Sequence, residues 1–489
     1  MIQAIVDNIN ALRVSCVKLR VSNLPGEPSA PPPRRRPPVP PPHALYTFFC
    51  SVSLSGGVYA PLHASILPAL AAYLEPAASL LAATRMTALL HAAILAVPFL
   101  CALAERLGDV RMLVQLCFLL EAAATAGLTG ALAFRSAPLA YAFAACAGVG
   151  LWQTRAGNLF LFATAFSVGA PVRAGGTSAA LQLALATAAA AALALLYNFP
   201  LFSASAAGEM TPSYTPLTVL FFASQLSWIS VINAPAEWTA LRTFLPPSPP
   251  LAPPRRSCGG LASFLFAAEY RRLLFASAFS GVSQGVSSAS ISLIWYLAED
   301  SGALPAAELQ DSLLLCVGAG VLSTLLTVPF FGAALDVVGP LVGVYCACLA
   351  HGSVLLCLAL LEPTPLLIYG SVALTAHLAV LYSTALLPFV ALNLFPSLDS
   401  FARDAGMFTC LGGVVSAALL FTSGPFLDSF GTTASSTNAQ GRVRYSDDGY
   451  RAFFVFSAAA NVCVALVFHL CERCAPPRKP VAAVPTWLI

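Results

Sequence analysis

Runs of about 20 apolar residues recur along this chain from Leu45 to Leu470. A run of that length is what an α-helix needs in order to cross the hydrocarbon core of a bilayer. The runs are continuous in Ala, Leu and Val and do not alternate with polar residues, so they predict membrane helices rather than the strands of a barrel. We place the twelve predicted spans at residues 44–73, 83–104, 111–134, 138–168, 176–200, 216–243, 271–298, 311–335, 339–361, 365–395, 404–427 and 450–471.

Two proline-rich segments divide the chain. Ten of the eighteen residues from Pro25 to Pro42 are proline, which predicts an extended arm that cannot pack into a core. A second segment rich in Pro and Arg, from Pro246 to Arg256, separates the spans into two groups of six. The predicted fold is an all-α integral membrane protein with two six-helix bundles. Its predicted parts are a Pro/Arg-rich N-terminal arm (1–43), an N-terminal bundle (44–244), a cytosolic Pro/Arg-rich linker (245–268), a C-terminal bundle (269–471) and a C-terminal tail (472–489).

The composition supports a protein that lies in lipid. The 489 residues are 58% hydrophobic and 9% charged, and their mean hydropathy is +0.80, whereas a soluble domain carries about 25% charged residues. A soluble fold of this composition would lack the polar residues needed to cover its surface. The net charge of +3 is too small to indicate nucleic-acid binding,. We therefore expect the lipid bilayer as a partner and no nucleic acid, and the pattern is compatible with a monomer.

The distribution of basic residues predicts the orientation. With the N-terminus inside, 18 of the 24 Lys and Arg residues fall in cytosolic segments, and the positive-inside rule favours that arrangement. The loop at 299–311 is acidic and contains no base, which suits the outer face. Both termini are therefore predicted to be cytosolic. The plasma membrane is the default location, and an organellar membrane stays open because residues 1–24 are typical of either an amphipathic targeting segment or an interfacial tail,.

The fourteen cysteines do not indicate a metal centre, because most of them lie inside apolar runs, where cysteine acts as a small hydrophobic residue,. Cys471 and Cys474 form a CxxC pair, which we interpret as an idle or palmitoylated juxtamembrane pair in preference to a zinc site,. The sequence contains no GxxxxGK[ST] run, so ATP-driven pumping is disfavoured,. We predict no cofactor and no metal.

A short motif occurs at matching places in the two groups of spans. Glu105 and Asp336 lie 231 residues apart, each four residues after a small residue and three residues before a glycine, Gly108 or Gly339. Glycine permits a tight link between antiparallel helices, and an acid stabilises the N-terminus of a helix through the helix dipole. Such an acid can also hold the end of a neighbouring helix and keep a gate shut. A repeated tight turn with no gating role is the alternative.

This motif resembles the loop motif G-x-L-a-D-r-x-G-r-r of the major facilitator superfamily. Leu103, Ala104, Arg106 and Gly108 match that pattern, and Glu105 stands where the family usually has Asp. The resemblance implies two six-helix bundles related by pseudo-symmetry, a central cavity, and rocking between inward-open and outward-open states. The gating residues that it implies are Glu105, Arg106, Gly108, Asp336 and Gly339.

Two charged residues lie deep inside predicted spans. Glu121 is ten residues into the third span, and Arg155 lies within the fourth. A charge at mid-membrane is costly and persists when it faces a cavity and has a partner. At 1.5 Å per residue both side chains lie roughly 15–20 Å from the same face, which predicts a Glu121–Arg155 ion pair. Arg155 would then offer a bidentate fork to a substrate carboxylate, while Glu121 holds it or carries a proton. In the alternative, Arg155 only stabilises the bundle or extends to the interface.

The residues around Arg155 are unusually polar for a membrane span. The run from Gly150 to Phe160, which includes Gln153 and Asn158, resembles the Q-x-G-N-L-F stretch of the L-type amino-acid facilitators, with one residue inserted. That branch of the superfamily carries large neutral amino acids. Residues 394–406 are similar in outline to its F-P-x-x-x-F-x-x-x-x-G segment. The resemblance implies a zwitterionic substrate whose carboxylate lies near Arg155.

Other polar residues inside the spans complete the predicted sites. Glu121, His63 and His91 are the candidates for proton coupling, the histidines because imidazole titrates near working pH. A lone histidine on an apolar helix is more often a packing residue, and that alternative applies to both and to His377 of the tenth span. The predicted substrate site consists of Arg155, Gln153, Asn158, Glu121, Tyr59, Gln284 and Tyr382.

The predicted function is secondary active or facilitative transport of small organic solutes by alternating access, with amino acids as the first candidate substrate. A monocarboxylate or organic-anion carrier is the runner-up, because Arg155 would bind any carboxylate. A membrane sensor or scaffold that keeps the fold without transport is the other alternative. An enzyme is not expected, because the cytosolic loops offer too few converging His, Asp or Glu residues.

Overall fold

The structure is a computed structural model, and most of what it describes is helical. The N-terminal arm, the linker at 245–268 and the C-terminal tail beyond Arg473 lie outside the described residues. The structure describes residues 66–75, 79–96, 98–99, 110–149, 174–199, 201–204, 210–219, 221–222, 271–304, 306–394, 401–430, 432–437 and 443–473.

The described helices of the first half of the chain lie where apolar runs predict spans. A 3-10 turn at Ala93–Ala96 follows the second of them, and residues 215–219 form a short helical segment. The helices are α1 (Leu67–Leu74), α2 (Ser79–Ala92), α3 (Val110–Ala133), α4 (Ala137–Val149) and α5 (Ala174–Asn198).

The second half is described almost continuously, and its helix bounds agree with the predicted spans to within a few residues. Prolines begin α8 and α9, where a missing N–H group has no cost,. The Thr364 side chain caps α9 by accepting a hydrogen bond from the Leu367 N–H,. The helices are α6 (Arg271–Asp300), α7 (Ala306–Val338), α8 (Pro340–Leu360), α9 (Pro365–Asn393), α10 (Phe401–Ser429) and α11 (Asp447–Arg473).

Six helices of the described residues are long and apolar enough to cross a membrane. They are α5 and α7 to α11, and their outward faces carry large apolar side chains; Phe330, for example, is 78% exposed. A helical protein with such surfaces is a multi-pass integral membrane protein. Helix α6 is as long as these helices but is rich in serine, and it does not reach the same hydropathy.

Two short antiparallel hairpins modify the all-α prediction. Strand β1 (Phe202–Ala204) pairs with β2 (Met210–Pro212), and β3 (Thr432–Thr437) pairs with β4 (Val443–Tyr445). Each hairpin follows a helix after only a few residues, α5 in one case and α10 in the other. The links were predicted as loops. They are long enough to fold back on themselves, and pairing satisfies their backbone groups.

The helices run alternately up and down, which gives the bundle two distinct ends. We call the end with the α7–α8 link and the start of α5 the motif end, and the opposite end the hairpin end. Gly339 makes the tight α7–α8 link with a φ of 92°, a conformation that glycine adopts without strain,. This turn places Asp336, three residues earlier, at the motif end.

The buried core joins the two halves. Leu67 of α1 and Met86 of α2 belong to one apolar cluster with Leu293 of α6 and Leu420 of α10. A second cluster, which includes Phe389 and lies toward the motif end, contains described residues of the second half only. The halves therefore share apolar contacts along part of their length, and the helices that form this contact are the ones that alternating access would have to separate.

Candidate functional site

Three helix pairs bring the two halves of the chain together. Helix α5 packs against α7 and α9, and helix α2 packs against α10. We call these contacts the α5 seam and the α2 seam. Both seams are built mainly from Ala, Leu and Gly, so the polar contacts within them are few and specific.

Asp336 forms a polar contact across the α5 seam at the motif end. Its Oδ1 accepts a hydrogen bond from the Gly175 N–H at 2.8 Å, and its Oδ2 accepts one from the Gly176 N–H at 3.1 Å. Gly175 and Gly176 belong to the first turn of α5, whose N–H groups have no partner within the helix,. A carboxylate at this position also interacts favourably with the positive end of the helix dipole. The acid of the second motif thus caps a helix of the other half.

The backbones of α5 and α7 approach each other closely beside this cap. A Cβ atom on Gly175 would collide with the Gly332 carbonyl oxygen, and a Cβ on Gly332 would lie 2.7 Å from the Gly175 carbonyl oxygen. One turn further along α5, the buried Ser178 hydroxyl donates a hydrogen bond to the Thr384 carbonyl oxygen of α9 at 2.7 Å. Glycine at both crossing positions is what lets Asp336 reach the end of α5.

The α2 seam contains a buried histidine. His91 Nδ1 of α2 and Ser416 Oγ of α10 lie 2.8 Å apart and share a hydrogen bond. His91 is 4% exposed and Ser416 has no exposed surface. Closer to the hairpin end, Gly424 of α10 packs against Leu81 of α2. His91 is therefore a residue of the contact between halves, a place that its sequence did not reveal.

Gln284 and Tyr382, two predicted substrate residues, lie on α6 and α9, which pack against each other. The Gln284 Nε2 donates to Ser280 Oγ at 3.4 Å. Tyr382 is buried, its hydroxyl lies beside the serines at 280 and 283, and it has no hydrogen-bond partner among the described residues. The ring is thus held by packing, and its polar tip is available to a solute.

Further hydroxyls follow the same two helices, and the sequence analysis did not single them out. Ser290 of α6 and Thr375 of α9 are fully buried, and their hydroxyls have no partner in the described part of the chain. Ser290 lies 19 residues from the motif end of α6 and Thr375 lies 18 residues from that end of α9, so their depths match. We call Gln284, Tyr382, Ser290 and Thr375 the α6–α9 polar stripe. The excess of serine in α6 is the sequence signal that could have found it.

Glu121 has no exposed surface and lies at the middle of α3. A buried carboxylate at this depth agrees with the expectation that it has a functional or structural partner. Its predicted partner Arg155 lies outside the described residues, so the ion pair stays a prediction. The same holds for the other predicted residues of the first half, which are Gln153, Asn158, Tyr59, His63, Glu105, Arg106 and Gly108.

A cavity of 370 Å³ lies between α6, α10 and α11 near the hairpin end. Its walls are formed by aromatic and small residues such as Phe426, Phe453 and Gly285, with Ser423 and Thr422 as the polar members. A site for a charged solute needs more hydrogen-bonding groups than these walls offer. This cavity is therefore not the predicted carboxylate site.

Comparison with solved structures identifies the fold. The human organic anion transporter MFSD10 (TETRAN) matches with a TM-score of 0.61 and 15% identity over 88% of this chain and 100% of that chain. The nucleoside transporter NupG matches with a TM-score of 0.55 and 12% identity over 87% and 98%. A bacterial homologue of the iron transporter ferroportin gives 0.57 and 14% over 88% and 98%. No family model and no curated protein sequence matches the chain. The chain has the fold of major-facilitator-type transporters.

Proposed function

We propose that this protein moves a small organic solute across its membrane by alternating access between the two halves of the chain. The observation that carries the proposal is the contact of Asp336 with the Gly175 and Gly176 N–H groups across the α5 seam. An acid that holds a helix of the opposite half favours the conformation in which the motif end is closed, and its release lets that end open. A repeated helix turn without a gating role would not need such a contact.

Glu105 is proposed to play the equivalent part at the start of α10. The motif repeat relates Glu105 to Asp336 and the α2 seam to the α5 seam, with Arg106 and Gly108 completing the first copy of the motif. Gly339 contributes by turning the chain so that Asp336 faces α5. The two acids would then hold both seams at one end of the molecule.

The proposed solute site lies between Glu121 and Arg155 of the first half and the α6–α9 polar stripe of the second. Arg155 would bind a carboxylate through its planar fork, and Gln153, Asn158 and Tyr59 would add hydrogen bonds. Gln284 and Tyr382 would hold the other end of the solute. Charge on one half and neutral hydrogen-bonding groups on the other fit a small solute with a carboxylate and a polar or apolar remainder.

Amino acids are the first candidate substrates, and monocarboxylates or organic anions are the second. The short resemblance around Arg155 favours amino acids, whereas the organic-anion transporter among the similar structures supports the second class through the fold alone. None of the three structures named above is an amino-acid transporter. A sensor or scaffold without transport is the third candidate, and it requires neither a gate nor a solute site.

Counterflow in reconstituted vesicles tests these classes. Purified full-length protein is loaded with one unlabelled solute, and uptake of labelled amino acids and monocarboxylates is measured in competition. We expect one class to compete, and we expect Arg155→Ala to abolish uptake while Arg155→Lys retains part of it. No movement of any solute by well-folded protein favours the sensor or scaffold. Normal uptake in both Arg155 variants contradicts the proposed carboxylate site.

A further inference from the structure

A buried polar cluster lies between α8 and α11, on different helices from the two seams and the α6–α9 polar stripe. It consists of His351 of α8 and of Ser457 and Asn461 of α11, which are 4%, 0% and 1% exposed. Apolar residues surround it, among them Leu355 and Phe454. Helix α8 approaches α11 closely here, because a Cβ on Gly352 would lie 3.4 Å from the Ala458 carbonyl oxygen.

The hydrogen bonds of Asn461 fix the position of the proton on His351. The Asn461 Nδ2 donates to the Ser457 carbonyl oxygen at 3.0 Å, and a carbonyl can only accept, so this atom is the amide nitrogen,. The same nitrogen lies 3.4 Å from His351 Nδ1. Nδ1 must therefore be the acceptor of that contact, and the ring proton is on Nε2. His351 presents an N–H donor at Nε2.

Three polar atoms of the cluster have no partner among the described residues. They are His351 Nε2, Asn461 Oδ1 and Ser457 Oγ. One is a donor, one is an acceptor, and the serine hydroxyl can act as either. Inside a membrane there is no bulk solvent to satisfy such atoms, so their presence together calls for a bound group that both donates and accepts.

We propose that one ordered water molecule binds here and links α8 to α11. It accepts a hydrogen bond from His351 Nε2–H and donates one to Asn461 Oδ1, and its remaining bond goes to Ser457 Oγ. Buried waters in proteins typically make about three such hydrogen bonds. A metal cation does not fit, because the N–H of His351 would point its positive end at the ion. The water would make the two outer helices of the second half move together.

Infrared spectroscopy of the full-length protein in lipid nanodiscs tests the proposal directly. A buried water gives an O–H stretching band that shifts when H₂¹⁶O is replaced by H₂¹⁸O. We expect such a band in the wild type, a shifted band in Ser457→Ala, and no band in Asn461→Leu. Ser323→Ala is the matched control, since Ser323 bonds directly to His377 at 2.7 Å within the same half. It should leave the band unchanged.

Several outcomes would overturn the proposal. One is an isotope-shifted spectrum that is the same in the wild type and in Ser457→Ala, which is mild enough to serve if Asn461→Leu does not fold. Another is cryo-electron microscopy density in which the three atoms contact only protein. A saturable rise in melting temperature with Na⁺ that Ser457→Ala removes would assign the site to a cation instead.

Discussion

The Asp336 carboxylate and the Gly175 N–H group are 161 residues apart in the sequence and 2.8 Å apart in the structure. They lie on opposite halves of the chain and meet at the motif end. One oxygen of Asp336 binds Gly175 and the other binds Gly176, so both oxygens of the carboxylate serve the start of α5. The contact joins the two halves through a single side chain.

Removing this carboxylate should shift the balance between conformations. A helix cap contributes about 1 kcal/mol, so we expect Asp336→Ala to favour opening of the motif end by about fivefold. Asp336→Asn keeps one acceptor oxygen and should have a smaller effect. The measurement is the distance between spin labels at Thr187 of α5 and Leu326 of α7, both exposed to lipid. Asp428→Asn, at the hairpin end, is the control and should leave the distances unchanged.

The close approach of α5 and α7 should not tolerate a methyl group. We expect Gly332→Ala to lower the free energy of unfolding by about 1–3 kcal/mol, because the added Cβ would press on Ala179 and the Gly175 carbonyl,. Gly318→Ala lies on the same helix with open space around its Cβ position. It should be neutral or slightly stabilising, since alanine favours the helix. Thermal melts in detergent compare the two, and equal losses would contradict the role of the crossing.

The His91–Ser416 hydrogen bond should act on the contact between halves. Double substitution with His91→Leu and Ser416→Ala should show a coupling of about 0.5–1.5 kcal/mol. Leucine is a natural choice, because the 231-residue offset that relates Glu105 to Asp336 pairs His91 with Leu322. We also expect His91→Leu to change the transport rate.

The His377–Ser323 pair is the control for this experiment. It joins α9 to α7 at 2.7 Å within the second half. Its disruption should therefore affect stability by a similar amount while the balance between conformations stays the same. A rate change of the same size in both pairs would assign the effect of His91 to stability alone.

Tyr382→Phe should weaken solute binding without weakening the fold. The hydroxyl has no protein partner among the described residues, so its removal leaves no protein group unsatisfied,. We expect a severalfold rise in KM for transport and an unchanged melting temperature. Tyr345→Phe is the opposite case, because it loses a 2.6 Å hydrogen bond to His469. It should lower stability by about 1 kcal/mol with an unchanged KM.

The helices of the second half could be predicted from the sequence because lipid makes a strict demand. A backbone in hydrocarbon must satisfy its own hydrogen bonds, so an apolar run of sufficient length becomes a helix. The prediction of a span at 365–395 and the observed helix Pro365–Asn393 differ only at one end. The hairpins were missed, because polar links carry no comparable demand.

The candidate site was predicted in part. Asp336 was found through its repeated motif, and Gln284 and Tyr382 were found because polar side chains are rare inside apolar runs. Ser290 and Thr375 were missed because Ser and Thr commonly satisfy themselves on the carbonyl one turn back, as Thr384 does here,. Only the structure distinguishes a hydroxyl bonded in this way from one that has no partner.

The sequence by itself determined that this chain is a bundle of membrane helices with a repeated acidic motif, since the lengths of the apolar runs and the spacing of the motif are local properties. The tertiary structure decided which half each polar residue touches. Asp336 reaches the start of α5, and His91 reaches Ser416 on α10. Such pairings depend on how each helix is rotated and packed against helices far away in the chain, and a period of apolar residues does not encode that when all faces of a helix are apolar.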